Sequence, residues 1–337
     1  MPITHQPLYP SLKFDHNDIP YISYYDATGF RYYLLTTTST SGSGNWYIYE
    51  FPHQPSGASI ALPAANSTAL AMIRGVGTST PVMIVIDNSA ASKTIRAASF
   101  VGGFAPFSAV STIETLDTAG AANIDARADS SGNVAVVYHH LSTAITSGRV
   151  KFSVSSNQGS TWSTPISLSS AGQGEGVNLT LDPVTQKPRV SFFDRASNWV
   201  LTSECTTAIS SCSSSGNWSA TEQIESGAGV SGLTAVTAPA HNQLLSAFPY
   251  IDRTSKSYIF YPRGAANNAS LMATHNVSGS WSSTTIRSGV NGNLVGIAPA
   301  NMSVAGWNVQ VTENASYSPT AAYIGPGNWL YVTSCGD

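Results

Sequence analysis

The chain has 337 residues, of which 42% are hydrophobic and only 10% are charged, and its formal net charge is −3 at pH 7. An ordinary soluble domain has about 25% charged residues, so Ser, Thr, Asn, Gly and Ala supply much of this surface, a composition that favours an extracellular β protein. The sequence lacks the basic cluster of a nucleic-acid-binding protein. It also lacks the roughly 18 consecutive apolar residues of a membrane helix.

Two short patterns recur along the chain at intervals of roughly fifty-five residues. The first is a strongly β-prone run found at 20–26 (PYISYYD), 81–87 (PVMIVID) and 188–194 (PRVSFFD). The second is a Gly-x-Trp turn, found at 44–46, 159–162, 216–218, 279–281 and 327–329. A fixed period of this length predicts a repeat architecture.

Each repeat contains the elements of a small antiparallel sheet. An opening strand ends in an aspartate at Asp15, Asp129 and Asp182, and a tight turn then leads to the β-prone second strand. A third strand, the Gly-x-Trp turn and a fourth strand follow. Four short antiparallel strands per unit are typical of a β-propeller blade.

We therefore predict an all-β protein, a six-bladed β-propeller of four-stranded antiparallel blades that occupies residues 1–337 as a single domain. The approximate blades are 9–56, 57–118, 119–173, 174–229, 230–292 and 293–337. Seven blades are the alternative, because the fifth unit has extra residues around 257–268, between a second strand placed at 244–250 and the third strand.

The repeated aromatic residue is predicted to pack between adjacent blades, where each buried side chain contributes about 1.5–3 kcal/mol. The second unit lacks the tryptophan, and Phe104, midway between Trp46 and Trp162, is expected to fill its position. Trp199 and Trp307 lie outside the turn and are the candidates for stacking on a sugar ring.

Residues 155–162 (SSNQGSTW) resemble the Asp-box of sialidase-like propellers, Ser-x-Asp-x-Gly-x-Thr-Trp, with Asn157 in place of the aspartate. The resemblance implies the propeller fold, and in that family the box is a structural turn far from the active site. Sialidases also use an arginine triad, a tyrosine nucleophile paired with glutamate, and an acidic aspartate. Their Arg-Ile-Pro motif is missing, with Asp18 where the arginine is needed, so the resemblance implies a non-catalytic member.

Four polar residues end the second strands of their units and are expected at equivalent positions around one rim of the propeller. They are Asp26, Asp87, His139 and Asp194. Two interpretations remain open. Each carboxylate caps the turn that follows it, or the ring binds a sugar or a divalent cation. No cofactor is predicted, and a structural divalent cation such as calcium stays open as the alternative.

The first strand of each blade lines the central channel, and its channel-facing positions follow from the two-residue period of a strand. These positions are Ser11, Lys13, Arg74, Asp125, Arg127, Asn178 and Thr180. Lys13, Arg74 and Arg127 come from three consecutive blades and are candidates to bind an anion. The alternative is that Asp125 and Asp15 pair with them in a solvated channel.

Three cysteines are present, and two of them, Cys205 and Cys212, are close enough in sequence to close a hairpin loop. They form a disulfide, or all three cysteines, including Cys335, are free thiols.

The leading hypothesis is an extracellular or cell-surface binding and adhesion module that recognises a glycan or a surface protein on its loop-bearing face. No catalytic residue is assigned, because the sequence contains no metal-ligand spacing, phosphate loop or nucleophile elbow. One alternative is a polysaccharide hydrolase or lyase that uses Asp125 or Asp182 with Arg127. Another is a structural subunit of a surface filament. No nucleic acid and no membrane insertion are expected, and the oligomeric state is not predicted. The N-terminal sequence lacks the pattern of a signal peptide.

Overall fold

The computed structural model describes residues 7–26, 28–40, 44–52, 68–75, 78–89, 92–117, 120–141, 148–194, 197, 199–225, 247–252, 254–265, 268–277, 279–290, 310–313, 319–324 and 330–334. The predicted turn at 327–329, Trp307 and Cys335 lie outside these residues. In the described part of the chain, no helix has the length and hydropathy needed to span a membrane.

The described strands form six antiparallel sheets, each built from strands that are consecutive in sequence. Sheet I contains β1 (Pro7–Phe14), β2 (Pro20–Asp26), β3 (Arg31–Thr37) and β4 (Trp46–Glu50); sheet II contains β5 (Thr68–Gly75), β6 (Thr78–Ser89), β7 (Ser92–Ser99) and β8 (Ser111–Thr115); sheet III contains β9 (Ala121–Ala128), β10 (Val134–His140), β11 (Arg149–Ser155) and β12 (Ile166–Ser167). Sheet IV contains β13 (Gln173–Leu181), β14 (Pro188–Asp194), β15 (Trp199–Glu204) and β16 (Glu222–Glu225); sheet V contains β17 (Phe248–Ile251), β18 (Ser257–Ala265), β19 (Asn268–Val277) and β20 (Ser280–Val290); sheet VI contains β21 (Gln310–Glu313), β22 (Pro319–Ile324) and β23 (Leu330–Ser334). Two short 3-10 helices, Ile209–Ser211 and Ser215–Asn217, precede β16.

The first strands of successive sheets lie side by side at the centre of the molecule. β1 contacts β5, β5 contacts β9, β9 contacts β13, β13 contacts β17, and β17 contacts β21. Sheets arranged in this way around their innermost strands form a β-propeller, so the predicted fold is confirmed. The count of six blades stays a prediction, because residues 226–246 and 291–309 are not among those described.

The hydrophobic core lies in the seams between neighbouring sheets. In β10 the side chains of Val136 and Tyr138 pack into the seam with sheet II, whereas Ala135 and Val137 pack into the seam with sheet IV. Successive residues of a strand point to opposite faces, so a strand between two neighbouring sheets is apolar on both faces. This explains the near-continuous apolar run of β10.

Two of the repeated tryptophans fill the seams as predicted. Trp162 packs against the core between sheets II and III, and its indole Nε1 donates a hydrogen bond to Ser111 Oγ of sheet II at 3.1 Å. Trp218 of sheet IV meets Phe152 of sheet III with a ring-centroid distance of 4.8 Å. Each tryptophan therefore ties its own sheet to the preceding one.

The prediction for the second unit is wrong. Phe104 is fully exposed in the loop after β7 and packs in no seam. Phe107 is buried instead, 5.5 Å from Phe51 and 5.5 Å from Phe100 between ring centroids, and these rings join sheets I and II. Trp46 also departs from the prediction, because 40% of it is exposed on the outermost strand of sheet I.

The strand assignment of the fifth unit also needs correction. Residues 248–251 form the first strand of sheet V rather than its second, and the supposed insertion Ser257–Ala265 is the second strand itself. Asp252 identifies residues 248–251 as an opening strand, because its Oδ1 accepts the backbone N–H groups of Thr254 and Lys256 at 2.8 and 2.9 Å. This is the turn that follows an opening strand.

The same aspartate turn follows three other opening strands. Asp15 Oδ1 accepts the N–H groups of Asn17 and Ile19, both at 2.8 Å. Asp129 and Asp182 accept backbone N–H groups in the corresponding turns. A short side-chain acceptor satisfies donors that a tight turn would leave unpaired, so the recurring aspartate is needed by the fold.

The segment that resembles the Asp-box forms a hydrogen-bonded turn between β11 and β12. Asn157 Oδ1 accepts from the Thr161 N–H at 2.9 Å, and Asn157 Nδ2 donates to Thr161 Oγ1 at 2.9 Å. Ser155 Oγ accepts the Gly159 N–H at 2.8 Å. Gly159 has a φ of +85°, which favours glycine.

Replacing Asn157 by aspartate is expected to change the free energy of unfolding by less than about 1 kcal/mol, since a carboxylate keeps the acceptor and the Thr161 hydroxyl can donate to it. Asn157→Ala removes these two bonds and the one that Ser155 Oγ donates to Asn157 Oδ1, and should cost about 1–2 kcal/mol. Urea denaturation of the two variants measures the difference. Equal losses would show that the side-chain bonds of this turn do not stabilise the fold.

Candidate functional site

The four predicted rim residues lie at or near the ends of second strands, and all four are buried. Asp26 accepts the N–H groups of Thr28 and Gly29 at 2.9 and 3.0 Å, which is the capping interpretation. Asp194 Oδ2 accepts from Gln173 Nε2 at 3.1 Å, and its Oδ1 accepts from the Ser197 N–H at 3.3 Å. These two carboxylates therefore hold the backbone of the rim.

Asp87 and His139 are enclosed more completely. Burial, and after it the charge of Asp87, raise the pKa of Tyr32 well above its ordinary value. His139 packs against two glycines, so that a Cβ at Gly148 would lie 2.3 Å from its Nε2 and one at Gly174 would lie 2.8 Å from its Cδ2. Neither side chain is presented to a ligand at the surface.

The inner strands carry a second set of polar side chains, and most of these are exposed to solvent at least in part. Lys13, Asp125, Arg127 and Thr180 are partly exposed and Arg74 is exposed. Ala126 and Leu179, which alternate with the polar positions of β9 and β13, are fully buried. On β9 and β13 the alternation required by a strand thus separates the polar residues from the apolar ones in the seams, whereas on β1 the apolar Leu12 and Phe14 are 48% and 41% exposed.

Some channel residues tie neighbouring inner strands together. Ser11 Oγ accepts the Leu70 N–H at 3.2 Å, and Asp125 Oδ2 accepts the Leu179 N–H at 3.0 Å. Asn178 is mostly buried, and its Nδ2 donates to Ala247 O at 3.3 Å. These groups act as bridges between sheets.

The three cations come together along β1, β5 and β9. Arg74 Nε and Nη2 donate to Phe14 O at 3.1 and 2.7 Å, which brings its guanidinium beside the residue that follows Lys13. Arg127 Nη1 donates to Asp125 Oδ1 at 2.5 Å and to Ala126 O at 2.8 Å. Asp125 is the carboxylate of this group, and we call Lys13, Arg74, Asp125 and Arg127 the channel cluster.

The electrostatics of the cluster act most strongly on Lys13. Its pKa is lowered from 10.5 to about 7, chiefly by burial and also by the positive charges of Arg127 and Arg74, while the charge of Asp125 partly opposes them. The side chain is partly exposed to the channel, but protein surrounds it and the neighbouring charges are mostly positive. Lys13 therefore changes its charge near neutral pH.

Replacing Lys13 by methionine is expected to stabilise the protein more at pH 6 than at pH 10. Between the folded pKa of about 7 and the unfolded value of 10.5, the unfolded chain binds more protons, so the stability of the wild type rises with pH. Below that window the cost of the enclosed charge is present in full. Thermal midpoints of both proteins at pH 6, 8 and 10 measure this, and a difference that stays constant with pH would contradict it.

A tyrosine–glutamate pair is present, but it lies in a seam. Tyr138 Oη and Lys151 Nζ, both in sheet III, donate hydrogen bonds to Glu114 of sheet II. Burial, and after it Glu114, raise the pKa of the Tyr138 phenol far above its ordinary value. A fully buried phenol with a raised pKa is a hydrogen-bond donor rather than a nucleophile. Sequence reasoning missed this cluster, because its members are remote in sequence.

Among the described residues, no three His, Cys, Asp or Glu side chains lie close enough together to hold a metal ion. The disulfide considered above is present in the structure, where Cys205 and Cys212 have a Cα–Cα distance of 6.0 Å.

Comparisons with solved structures find three enzymes that share the fold of this chain. An α-L-arabinanase of Penicillium chrysogenum, solved with arabinobiose, has a TM-score of 0.54 and 11% identity over 99% of this chain and 95% of its own. A polysaccharide lyase has a TM-score of 0.53 and 10% identity over 99% of this chain and 82% of its own. The NanB sialidase of Streptococcus pneumoniae has a TM-score of 0.50 and 9% identity over 98% of this chain and 67% of its own.

The likeness is one of fold. At such low identities it does not extend to activity or to individual residues. No family model matches the chain. No curated protein matches it in sequence either.

Proposed function

We propose that this protein is an extracellular carbohydrate-binding propeller without catalytic activity, whose ligand enters the central channel. The observation that carries the proposal is the set of partly or fully exposed polar side chains on the inner strands β1, β5, β9 and β13, namely Lys13, Arg74, Asp125, Arg127 and Thr180. A concave site with several convergent polar groups is the usual form of a ligand site. The propeller fold shared with an arabinanase and a polysaccharide lyase favours a carbohydrate as the ligand.

The hydrogen bonds made by Asp125 and Asp182, the two carboxylates that a hydrolase would use, favour binding over hydrolysis. A glycosidase needs one carboxylic acid whose pKa is raised, so that it can protonate the leaving oxygen. Burial would raise the pKa of Asp182, but hydrogen bonds from the N–H groups of Thr185 and Val184 and from the Ser255 hydroxyl outweigh burial and lower it. Asp125 is engaged by Arg127 and by the N–H groups of Ala126 and Leu179.

The test is retention of the folded protein on a panel of immobilised plant, algal and bacterial polysaccharides, with heat-unfolded protein as the control. We expect retention on at least one polysaccharide, without release of reducing ends or unsaturated sugars. Failure to bind any member of the panel would contradict glycan recognition. Release of products in proportion to protein concentration would instead support the hydrolase or lyase alternative.

A filament subunit is the second candidate, and one observation favours it. Trp46, Tyr47 and Ile48 are 40%, 43% and 37% exposed on β4, the outermost strand of sheet I. An apolar outer strand is a template for pairing with another chain. Sedimentation velocity at increasing concentration decides between the candidates, since a monomer at the highest concentration would exclude self-assembly through β4.

A further inference from the structure

We propose that the channel cluster binds an oxyanion, carried by an acidic glycan as a uronate carboxylate or a sulfate ester, between Lys13, Arg74 and Arg127. This inference rests on the carbohydrate-binding function proposed above and specifies the class of its ligand.

The three cations occupy neighbouring inner strands. They lie on β1, β5 and β9, and β5 contacts both β1 and β9 in the centre of the molecule. The hydrogen bonds of Arg74 to Phe14 O anchor its guanidinium to β1, directly beside Lys13. The contacts of Arg127 with Asp125 and Ala126 O fix the other guanidinium on β9. A ligand would meet two anchored guanidinium groups rather than mobile side chains.

The two guanidinium groups of the cluster keep N–H donors that the described part of the protein does not use. A guanidinium has five N–H donors in a planar fork that matches the geometry of an oxyanion. Within the described residues Arg74 uses Nε and Nη2, and Arg127 uses Nη1. Nη1 of Arg74, and Nε and Nη2 of Arg127, are therefore available to a ligand.

The channel cluster has more positive than negative charge. The carboxylate that acts on Lys13 is Asp125, which already neutralises Arg127 and accepts two backbone N–H groups. Asp15, the nearest carboxylate along β1, accepts the N–H groups of Asn17 and Ile19. Two guanidinium groups with one shared carboxylate leave an excess of positive charge, and Lys13 adds to it when it is protonated. Attraction to an anion is stronger where protein limits the access of water than in open water.

The charge excess also predicts a proton uptake. An anion beside Lys13 offsets the effect of Arg74 and Arg127 and favours the protonated ammonium. Among the described residues, the other titratable groups to consider are Asp125, which acts on Lys13, and Tyr21, which lies opposite Lys13 in the register of β1 and β2. The pKa of Tyr21 is raised above its ordinary value, chiefly by burial, so its phenol remains neutral. Binding at pH 8 should therefore take up a proton at Lys13.

Isothermal titration calorimetry tests the proposal at pH 8 with four probes: trigalacturonate, a sulfated galactose oligosaccharide, sodium sulfate, and carboxyl-reduced trigalacturonate. We expect one of the acidic oligosaccharides to bind at least tenfold more tightly than the neutral one, with an enthalpy that depends on the buffer because a proton is taken up. The preferred acidic probe identifies the oxyanion as a carboxylate or a sulfate.

The variants are Lys13→Met and Arg127→Gln, with Arg31→Gln as the matched control because Arg31 pairs with Glu50 on the exposed outer part of sheet I. Affinity should fall at least tenfold in the first two and stay unchanged in the control. Lys13→Met should also abolish the buffer dependence. If Arg127→Gln does not fold, Lys13→Met alone carries the test.

The remaining outcomes distinguish the oxyanion site from the carbohydrate-binding function. Equal affinity for the neutral and acidic sugars, or binding unaffected by Lys13→Met, would overturn the oxyanion site and leave carbohydrate binding intact. Binding of sodium sulfate that depends on Lys13, without retention on any polysaccharide, would support the oxyanion site and overturn the carbohydrate function. No binding of any probe and no retention would overturn both.

Discussion

Replacing Glu114 by glutamine is expected to lower the free energy of unfolding by about 3–5 kcal/mol, because it breaks a largely buried ion pair between two sheets. The side chains of Lys151 and Glu114 are only 18% and 15% exposed. Glutamine would leave the Lys151 ammonium in the seam without its counterion, and it would weaken the bond from the Tyr138 hydroxyl. Water cannot reach these groups well enough to compensate.

Glu50→Gln is the control for this measurement. Glu50 pairs with Arg31, but both side chains are more than two-fifths exposed, and an exposed pair contributes only about 0–1 kcal/mol. Urea denaturation of both variants should therefore separate them by at least about 2 kcal/mol. A loss in Glu114→Gln as small as that in Glu50→Gln would show that the seam between sheets II and III does not depend on this pair.

Replacing Cys205 and Cys212 together by alanine is expected to cost about 2–5 kcal/mol. Both cysteines are fully buried in the core between sheets III and IV. The Trp218 indole Nε1 donates to Cys212 O at 2.9 Å, so the loop that the disulfide closes also positions the tryptophan that packs on Phe152. Loss of the cross-link raises the entropy of the unfolded chain and loosens this seam.

Ser210→Ala, an exposed residue inside the same loop, is the matched control and should change stability by less than about 0.5 kcal/mol. Unfolding of the wild type with and without reductant gives a second measurement of the same quantity. If the double alanine variant and the reduced wild type both unfold at the wild-type denaturant concentration, the disulfide makes no contribution to the fold.

The sequence predicts the fold well because the physical needs of each sheet recur. An opening strand must turn sharply, so an aspartate follows it at Asp15, Asp129, Asp182 and Asp252. The seam must be filled, so a tryptophan follows the third strand at Trp162 and Trp218. These requirements are local in sequence, and alternation and spacing reveal them directly.

The errors arise where spacing is taken as constant. Phe104 has the right separation from its neighbours, but the loop after β7 places Phe107 in the seam and leaves Phe104 in solvent. Residues 248–251 are as apolar as a second strand, and only the turn at Asp252 shows that they form a first strand. Local composition does not distinguish the inner strands from their neighbours when both faces are buried.

The same sequence patterns predict part of the candidate site. The two-residue period assigns Lys13 and Arg127 to the channel side of their strands. It does not show that Arg74 reaches Phe14 O, or that Glu114 meets Tyr138 and Lys151. Such contacts join residues of different sheets, and they depend on how the sheets are stacked rather than on any pattern within one sheet.

The most direct test of this account is a crystal structure of the protein grown with the acidic oligosaccharide that it binds. We predict sugar density at the mouth of the channel, with the oxyanion in contact with Lys13, Arg74 and Arg127. A sugar bound on the rim around Asp26 and Asp194, or on the outer strands, with no ligand at Lys13, would contradict it.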